Sequence, residues 1–235
     1  MENVDIYLDG ADLSDVSKLA SQDHIKGFTS NPSLMHKSNI NNYNDFIIKF
    51  LSLCGNKPVS FEVVSDNFEK MEKEARKISS YAKNIYVKIP ITNSKGESSL
   101  NLVKKLLNDG LKINITAILS SKQLNNILEI LSSKDDVIIS YFAGRVADTG
   151  IDPVPILIDL KEKILKKNLI KTKILWASPR EVFNIYQADK INVDIITVTK
   201  SLIDKLNLKD KNLDEYSRET VQMFLNDAIQ SKLEI

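Results

Sequence analysis

Residues 59–90 read VSFEVVSDNFEKMEKEARKISSYAKNIYVKIP. A short β-branched run opens the stretch and another closes it. Between them Phe68, Met71, Ala75, Ile78 and Ala82 recur three or four apart, the spacing of one buried helix face. The unit is therefore strand, helix, strand. Similar runs stand at 4–10 (VDIYLDG), 25–30 (IKGFTS), 112–118 (KINITAI), 137–144 (VIISYFAG), 173–178 (KILWAS) and 193–199 (VDIITVT), each followed by a stretch with helical periodicity. Eight such units predict a single α/β domain, a (β/α)₈ TIM barrel. The alternative is a doubly wound open sheet, which usually carries a Gly-rich phosphate loop after its first strand. Only Gly10 follows the first strand here, and the chain has 7 glycines. Ser14 and Asp66 are expected as helix N-caps, and Pro153 and Pro179 in first turns.

Residues 1–212 are expected to form the barrel and 213–235 an additional C-terminal helical segment. Within it Val221, Phe224, Leu225 and Ala228 share a face. That face is expected to pack on the barrel, as part of the same domain, or on a neighbouring subunit.

Composition narrows the class. The chain has 235 residues, 43% hydrophobic and 27% charged, as in ordinary globular proteins. Its 32 Lys and Arg against 31 Asp and Glu give no electrostatic reason to expect nucleic acid or an anionic membrane. One cysteine, Cys54, excludes an internal disulfide and fits a reducing compartment. The N-terminal stretch is acidic where a signal peptide is basic, and no apolar run is long enough to span a bilayer. A cytoplasmic protein is expected. His24 and His36 are too few and too scattered to suggest a metal site.

Lys88 sits between Val87 and Ile89 in the middle of a strand. On an edge strand it would simply be exposed; in an enclosed site it would be a nucleophile, with the apolar interior disfavouring its ammonium form. The other strands bear on the choice. In TIM barrels the chemistry lies where strands end, and those ends carry Asp9, the run Thr29-Ser30-Asn31, Glu62, Asn114 with Thr116, Ser140 with Arg145 beyond, and Ser178 with Arg180 beyond. Burying carboxylates, a lysine and amides together is costly unless they pair or work. The set is read as a catalytic site.

Four motifs carry a resemblance. TSNPSLM (29–35), IYVKIPIT (85–92), INIT (113–116) and ISYFAGRVAD (139–148) are similar, in order, to signatures of the transaldolase family, in the short subfamily that includes the fructose-6-phosphate aldolases. Phe28 departs from the smaller residue usual before that threonine. The resemblance implies a class I enzyme in which Lys88 forms a Schiff base with a ketose phosphate, without cofactor or metal. It implies that Asp9 takes the proton of the carbon 4 hydroxyl. Glu62 would act as acid and base through a water held by Thr116, while Asn31 and Asn114 hold the hydroxyls of the dihydroxyacetone unit. Arg145 and Arg180, with Ser140 and Ser178, would bind the phosphate; otherwise Arg145 would pair with Asp148 or Asp152, and Arg180 would be a surface residue.

The implied partners are fructose 6-phosphate, sedoheptulose 7-phosphate, erythrose 4-phosphate and glyceraldehyde 3-phosphate. The implied assembly is a homo-oligomer, a pentamer or decamer, with a dimer as the alternative. Glu62 and Phe142 match the transaldolase type, whereas the aldolase branch carries glutamine and tyrosine there. Transfer of dihydroxyacetone is thus expected over its release. A non-catalytic sugar-phosphate binder is the third reading, which the set Asp9, Glu62 and Lys88 disfavours.

Overall fold

A computed structural model describes residues 3–232; residues 1–2 and 233–235, the ends of the two expected segments, lie outside the described residues. Eight parallel strands close into a barrel in sequence order. They are β1 (Asp5–Asp9), β2 (Ile25–Thr29), β3 (Val59–Glu62), β4 (Ile85–Pro90), β5 (Ile113–Ile118), β6 (Val137–Tyr141), β7 (Thr172–Trp176) and β8 (Ile195–Val198). The helices are α1 (Leu13–Ala20), α2 (Pro32–Lys37), α3 (Tyr43–Cys54), α4 (Phe68–Ser80), α5 (Leu100–Asn108), α6 (Ser121–Ile130), α7 (Ala143–Ala147), α8 (Val154–Lys166), α9 (Phe183–Lys190), α10 (Lys200–Asp204) and α11 (Leu213–Gln230). The chain is a TIM barrel with a C-terminal helix.

Strand alternation sorts the side chains. Phe28, Phe61, Val87, Ile89, Ile139, Ile174 and Trp176 are buried in the shell between barrel and helices. There α3 seats Phe46 and Phe50 against Phe28 and Phe61, with rings meeting edge-on at 5.3–6.1 Å. Cys54 closes that helix as a buried core thiol, its pKa pushed up to about 11 by burial. The opposite parity faces the barrel axis. Tyr7, Tyr86, Ile138, Leu175, Ala177 and Ile195 pack there as a separate apolar cluster. Tyr7 pairs in register with Gly27, where an added Cβ would lie 2.5 Å from the tyrosine ring. A side chain at 27 and a ring at 7 cannot share that space.

Several local expectations are corrected. Asp12, not Ser14, caps α1, accepting from the N–H groups of Ser14 and Asp15. Asn67, not Asp66, caps α4. Asp66 instead accepts from Ser94 N and Ser94 Oγ, both at 2.7 Å, and so ties the loop after β3 to the loop after β4. Pro153 is the N-cap of α8, with Pro155 rather than Pro153 inside its first turn, and Pro179 lies in the loop before α9, which begins only at Phe183. The apolar face of α11 does not pack on the barrel. No residue of the helix is buried, and Val221 and Phe224 are 63% and 62% exposed.

The crowding at Gly27 gives a test. Gly27→Ala should destabilise the fold by about 1–3 kcal/mol, as overpacking does, lowering the melting temperature by roughly 2–4 °C per kcal/mol. Thermal unfolding followed by circular dichroism measures it; an unchanged midpoint would show that the barrel interior can absorb a methyl group there.

Candidate active site

The inward-facing polar residues converge at the C-terminal end of the barrel around a cavity of about 490 Å³. Its wall includes Asp9, Thr29, Asn31, Glu62, Lys88, Thr116, Ser140, Phe142, Arg145, Ser178 and Arg180. Every residue expected at the site thus lines it except Ser30, whose carbonyl meets Lys88, and Asn114. Asn114 is fully buried beneath, its Nδ2 donating to Ser60 Oγ at 3.0 Å and its Oδ1 accepting from Ser140 Oγ at 2.6 Å.

The floor is built by register. Glu62 and Lys88 are direct partners across β3 and β4, and Lys88 and Asn114 across β4 and β5. Lys88 is 6% exposed. Its Nζ lies 3.1 Å from Glu62 Oε2 and donates to Ser30 O at 2.9 Å. The surroundings of the amine are therefore polar rather than apolar, and the Glu62 carboxylate touches it directly. Lys88 is interior, not an edge lysine. Thr116 Oγ1 is buried with no hydrogen-bond partner among the described residues, so it is available to a water or a substrate hydroxyl.

Asp9 faces Lys88 from β1. It accepts from Thr29 Oγ1 at 2.7 Å, and Thr29 Oγ1 lies 2.5 Å from Thr197 Oγ1. Burial holds the Asp9 carboxyl above the usual carboxylate range; the Lys88 charge and the Thr29 hydrogen bond oppose that rise, and the Glu62 charge adds to it. Asn31 has a double task. Its Oδ1 caps α2 by accepting from Leu34 N at 3.0 Å, which leaves its NH₂ free to donate to a ligand.

Cations gather at the rim. Arg145 on α7 is exposed, with its guanidinium 5.2 Å from the centre of the Phe142 ring. It forms no ion pair with Asp148 or Asp152. Asp148 instead holds Arg180 through two hydrogen bonds, one of them Nε to Oδ1 at 3.1 Å, and Asp152 caps Val154 N. Lys37, at the end of α2, also lines the wall. It was missed in the sequence, because an exposed lysine six positions past Asn31 carries no signal by itself. Thr197 was missed too, although its place two residues after the inward Ile195 in VDIITVT marks its face. Among the described residues no three His, Cys, Asp or Glu side chains gather as a metal site, and no helix is long and apolar enough to cross a membrane.

Comparison with known proteins now bears on this geometry. The family model described as transaldolase/fructose-6-phosphate aldolase matches residues 6–235. The chain belongs to the transaldolase/fructose-6-phosphate aldolase family. Relatives named "probable transaldolase" include one from Nitrosopumilus maritimus (strain SCM1), 32% identical over 202 residues that cover 86% of each chain. Another, from Thermoplasma acidophilum, is 34% identical over 213 residues, 89% of this chain and 90% of the relative. A third, from Carboxydothermus hydrogenoformans, is 32% identical over 224 residues, 95% and 97%. Among solved structures, a Burkholderia cenocepacia J2315 protein matches with a TM-score of 0.59 at 12% identity, covering 100% of this chain and 84% of its own. Dihydrodipicolinate synthase from Rhodopseudomonas palustris matches at 0.50 and 11% identity, covering 96% and 79%. At such identities these two likenesses show the fold alone.

The environment of Asp9 has a consequence for stability. Its carboxyl titrates higher in the folded chain than in the unfolded one. Stability is therefore lost as pH rises from the ordinary carboxylate value of about 3.9 through the raised folded value, and stays lost above it. Asp9→Asn, which mimics the neutral form, should raise the melting temperature at pH 7 by on the order of a few degrees and leave it nearly unchanged at pH 3. Melting curves at the two pH values check this; a lower midpoint at pH 7 would mean that the attraction to Lys88 outweighs burial.

Proposed function

We propose that the chain is a transaldolase that moves a dihydroxyacetone unit from a ketose phosphate, fructose 6-phosphate or sedoheptulose 7-phosphate, to an aldose phosphate through a Schiff base on Lys88. The observation that carries the reading is a buried primary amine, in contact with Glu62 and facing Asp9, at the floor of an open cavity with arginines at its rim.

The roles follow from position. Glu62, 3.1 Å from Nζ, accepts the proton that frees the amine. Nζ attacks the ketone carbon, the oxygen leaves as water with protons returned by Glu62, and an iminium forms. Thr116 holds the water consumed when the imine is later hydrolysed. Asp9 then takes the proton of the carbon 4 hydroxyl. The bond between carbons 3 and 4 breaks, its electron pair flows into the iminium to give an enamine, and the aldehyde leaves. Addition of a second aldehyde runs the same steps backward, Asp9 returning the proton. Asn31 donates to the hydroxyls of the three-carbon unit, while Asn114 serves from below by fixing Ser140. Arg145 meets the phosphate as the less encumbered cation, with Arg180, Ser178 and Ser140 beside it.

Phe142 presents a ring without a hydroxyl to the cavity. That supports transfer over release, because no phenol stands there to deliver a proton or a water to the enamine. The exposed apolar residues of α11 support a homo-oligomer in which a second copy covers that helix.

Two outcomes are expected. Borohydride reduction with fructose 6-phosphate should leave a dihydroxyacetone-derived mass on the peptide containing Lys88, and adding erythrose 4-phosphate should yield sedoheptulose 7-phosphate faster than free dihydroxyacetone appears. Label on another lysine would sink the Schiff-base assignment; release as fast as transfer would make the protein an aldolase. Arg145→Ala should lower catalytic efficiency on phosphorylated ketoses roughly ten- to a hundred-fold relative to an unphosphorylated ketose, the worth of one charge-assisted contact. An equal loss on both substrates would place Arg145 in structure instead.

A further inference from the structure

The site contains a hydroxyl chain that these roles leave unused. Thr197 on β8, Thr29 on β2 and Asp9 on β1 are joined side chain to side chain, at 2.5 Å between the two hydroxyls and 2.7 Å from Thr29 to Asp9 Oδ1. Both threonines are buried, 5% and 2% exposed. The strands that bear them flank β1 on either side, with Tyr7 opposite Thr197 and Asp9 opposite Thr29. The chain therefore crosses the seam where the last strand of the barrel meets the first.

Donor counting fixes its direction. A threonine hydroxyl has one proton, and an ionised carboxylate only accepts. When Asp9 is ionised, Thr29 must donate to it, so the proton in the contact between the hydroxyls must come from Thr197. We propose that Thr197 is a positioning residue for Asp9: by donating to Thr29 Oγ1 it keeps the Thr29 proton on Asp9 Oδ1. When Asp9 takes up a proton the chain reverses. Asp9 then donates to Thr29, and Thr29 to Thr197, with no heavy atom displaced. Thr197 thus supports both protonation states, and the ionised one more, because hydrogen bonds to a charged acceptor are the stronger kind. The charged groups facing Asp9 are Lys88 from β4 and Glu62 from β3; neither bonds to the chain, so removing Thr197 leaves both in place.

The inference rests on Asp9 as the base of the proposed reaction, and the test separates the two. The pH dependence of kcat/KM is measured for the wild type, Thr197→Val, Thr29→Val and the double variant, together with titration of the Asp9 carboxyl by carbon-13 NMR, assigned with Asp9→Asn. Thr29→Val should move the acid limb and the carboxyl titration up by about one pH unit. Thr197→Val should move both by roughly half a unit, about a threefold loss below the limb that vanishes above it. The double variant should match Thr29→Val alone, since Thr197 acts only through Thr29. Thr197→Ala should repeat the shift and Thr197→Ser should restore the wild-type profile. Unmoved titration in Thr197→Val and Thr197→Ala, or additive shifts in the double variant, would overturn the proposal. A wild type without transfer or cleavage activity would overturn the functional reading instead, and the NMR titration would then decide the hydroxyl chain by itself.

Discussion

The contact between Lys88 Nζ and Glu62 Oε2 is the constraint on which the upper barrel depends. The two residues are register partners on neighbouring strands, and each is flanked by apolar residues that belong outside: Phe61 and Val63 beside the glutamate, Val87 and Ile89 beside the lysine. Slipping either strand by one residue would turn its charge into the helix shell and its apolar neighbours into the cavity. A lone buried charge would then stand on each side, which is far more costly than the pair. Pairing thus fixes the register of β3 on β4, and the register in turn sets Asn114 beside Lys88 on β5.

The rim is held by a different device. Gly144 in α7 lies where an added Cβ would come within 1.6 Å of Ser178 O. Only glycine lets the short helix after β6 press against the backbone after β7. That approach carries Arg145 and Arg180 to one side of the cavity, and Asp148 at the end of α7 clasps Arg180. Ser178 and Ala117 both hold φ near 60° without being glycine. Both line the cavity: Ser178 follows β7, and Ala117 lies inside β5 where its pairing with β6 shifts register. Strain of this kind persists where surrounding structure over-determines it, as at Ser178, whose backbone lies against Gly144 of α7.

These two devices were unequally legible in the sequence. Alternation within strands is local, so VSFEVV and IYVKIP disclosed both the barrel and the inward parity of Glu62 and Lys88, and the four motifs disclosed the family. Contacts between distant loops left no local trace. Nothing in the sequence says that Asp148 will choose Arg180 over Arg145, or that Asp66 will bind Ser94 rather than cap α4, because a cap needs only a short side chain one residue before the helix and Asn67 also qualifies. Thr197 was hidden for a similar reason. A threonine in a strand is ordinary, and its meaning arises only when barrel closure brings β8 against β1. For α11, helical periodicity disclosed the apolar face but not what covers it.

The charges of the site are sorted along the barrel axis, although the chain as a whole carries a formal net charge of only +1. The floor holds Lys88 against Asp9 and Glu62, and the rim presents Arg145, Arg180 and Lys37. A ligand with one anionic end is oriented by this field, that end being drawn to the rim and repelled by the carboxylates of the floor. The same sorting explains why the rim cations are unequal. Arg180 shares its charge with Asp148, whereas Arg145 lies over the face of Phe142 and forms no ion pair among the described residues. That ring also lines the cavity, so in the proposed reaction the side chain beneath Arg145 is one with no hydroxyl to offer the intermediate. In that reaction, orientation of the substrate and the fate of its intermediate would be coupled through one side chain.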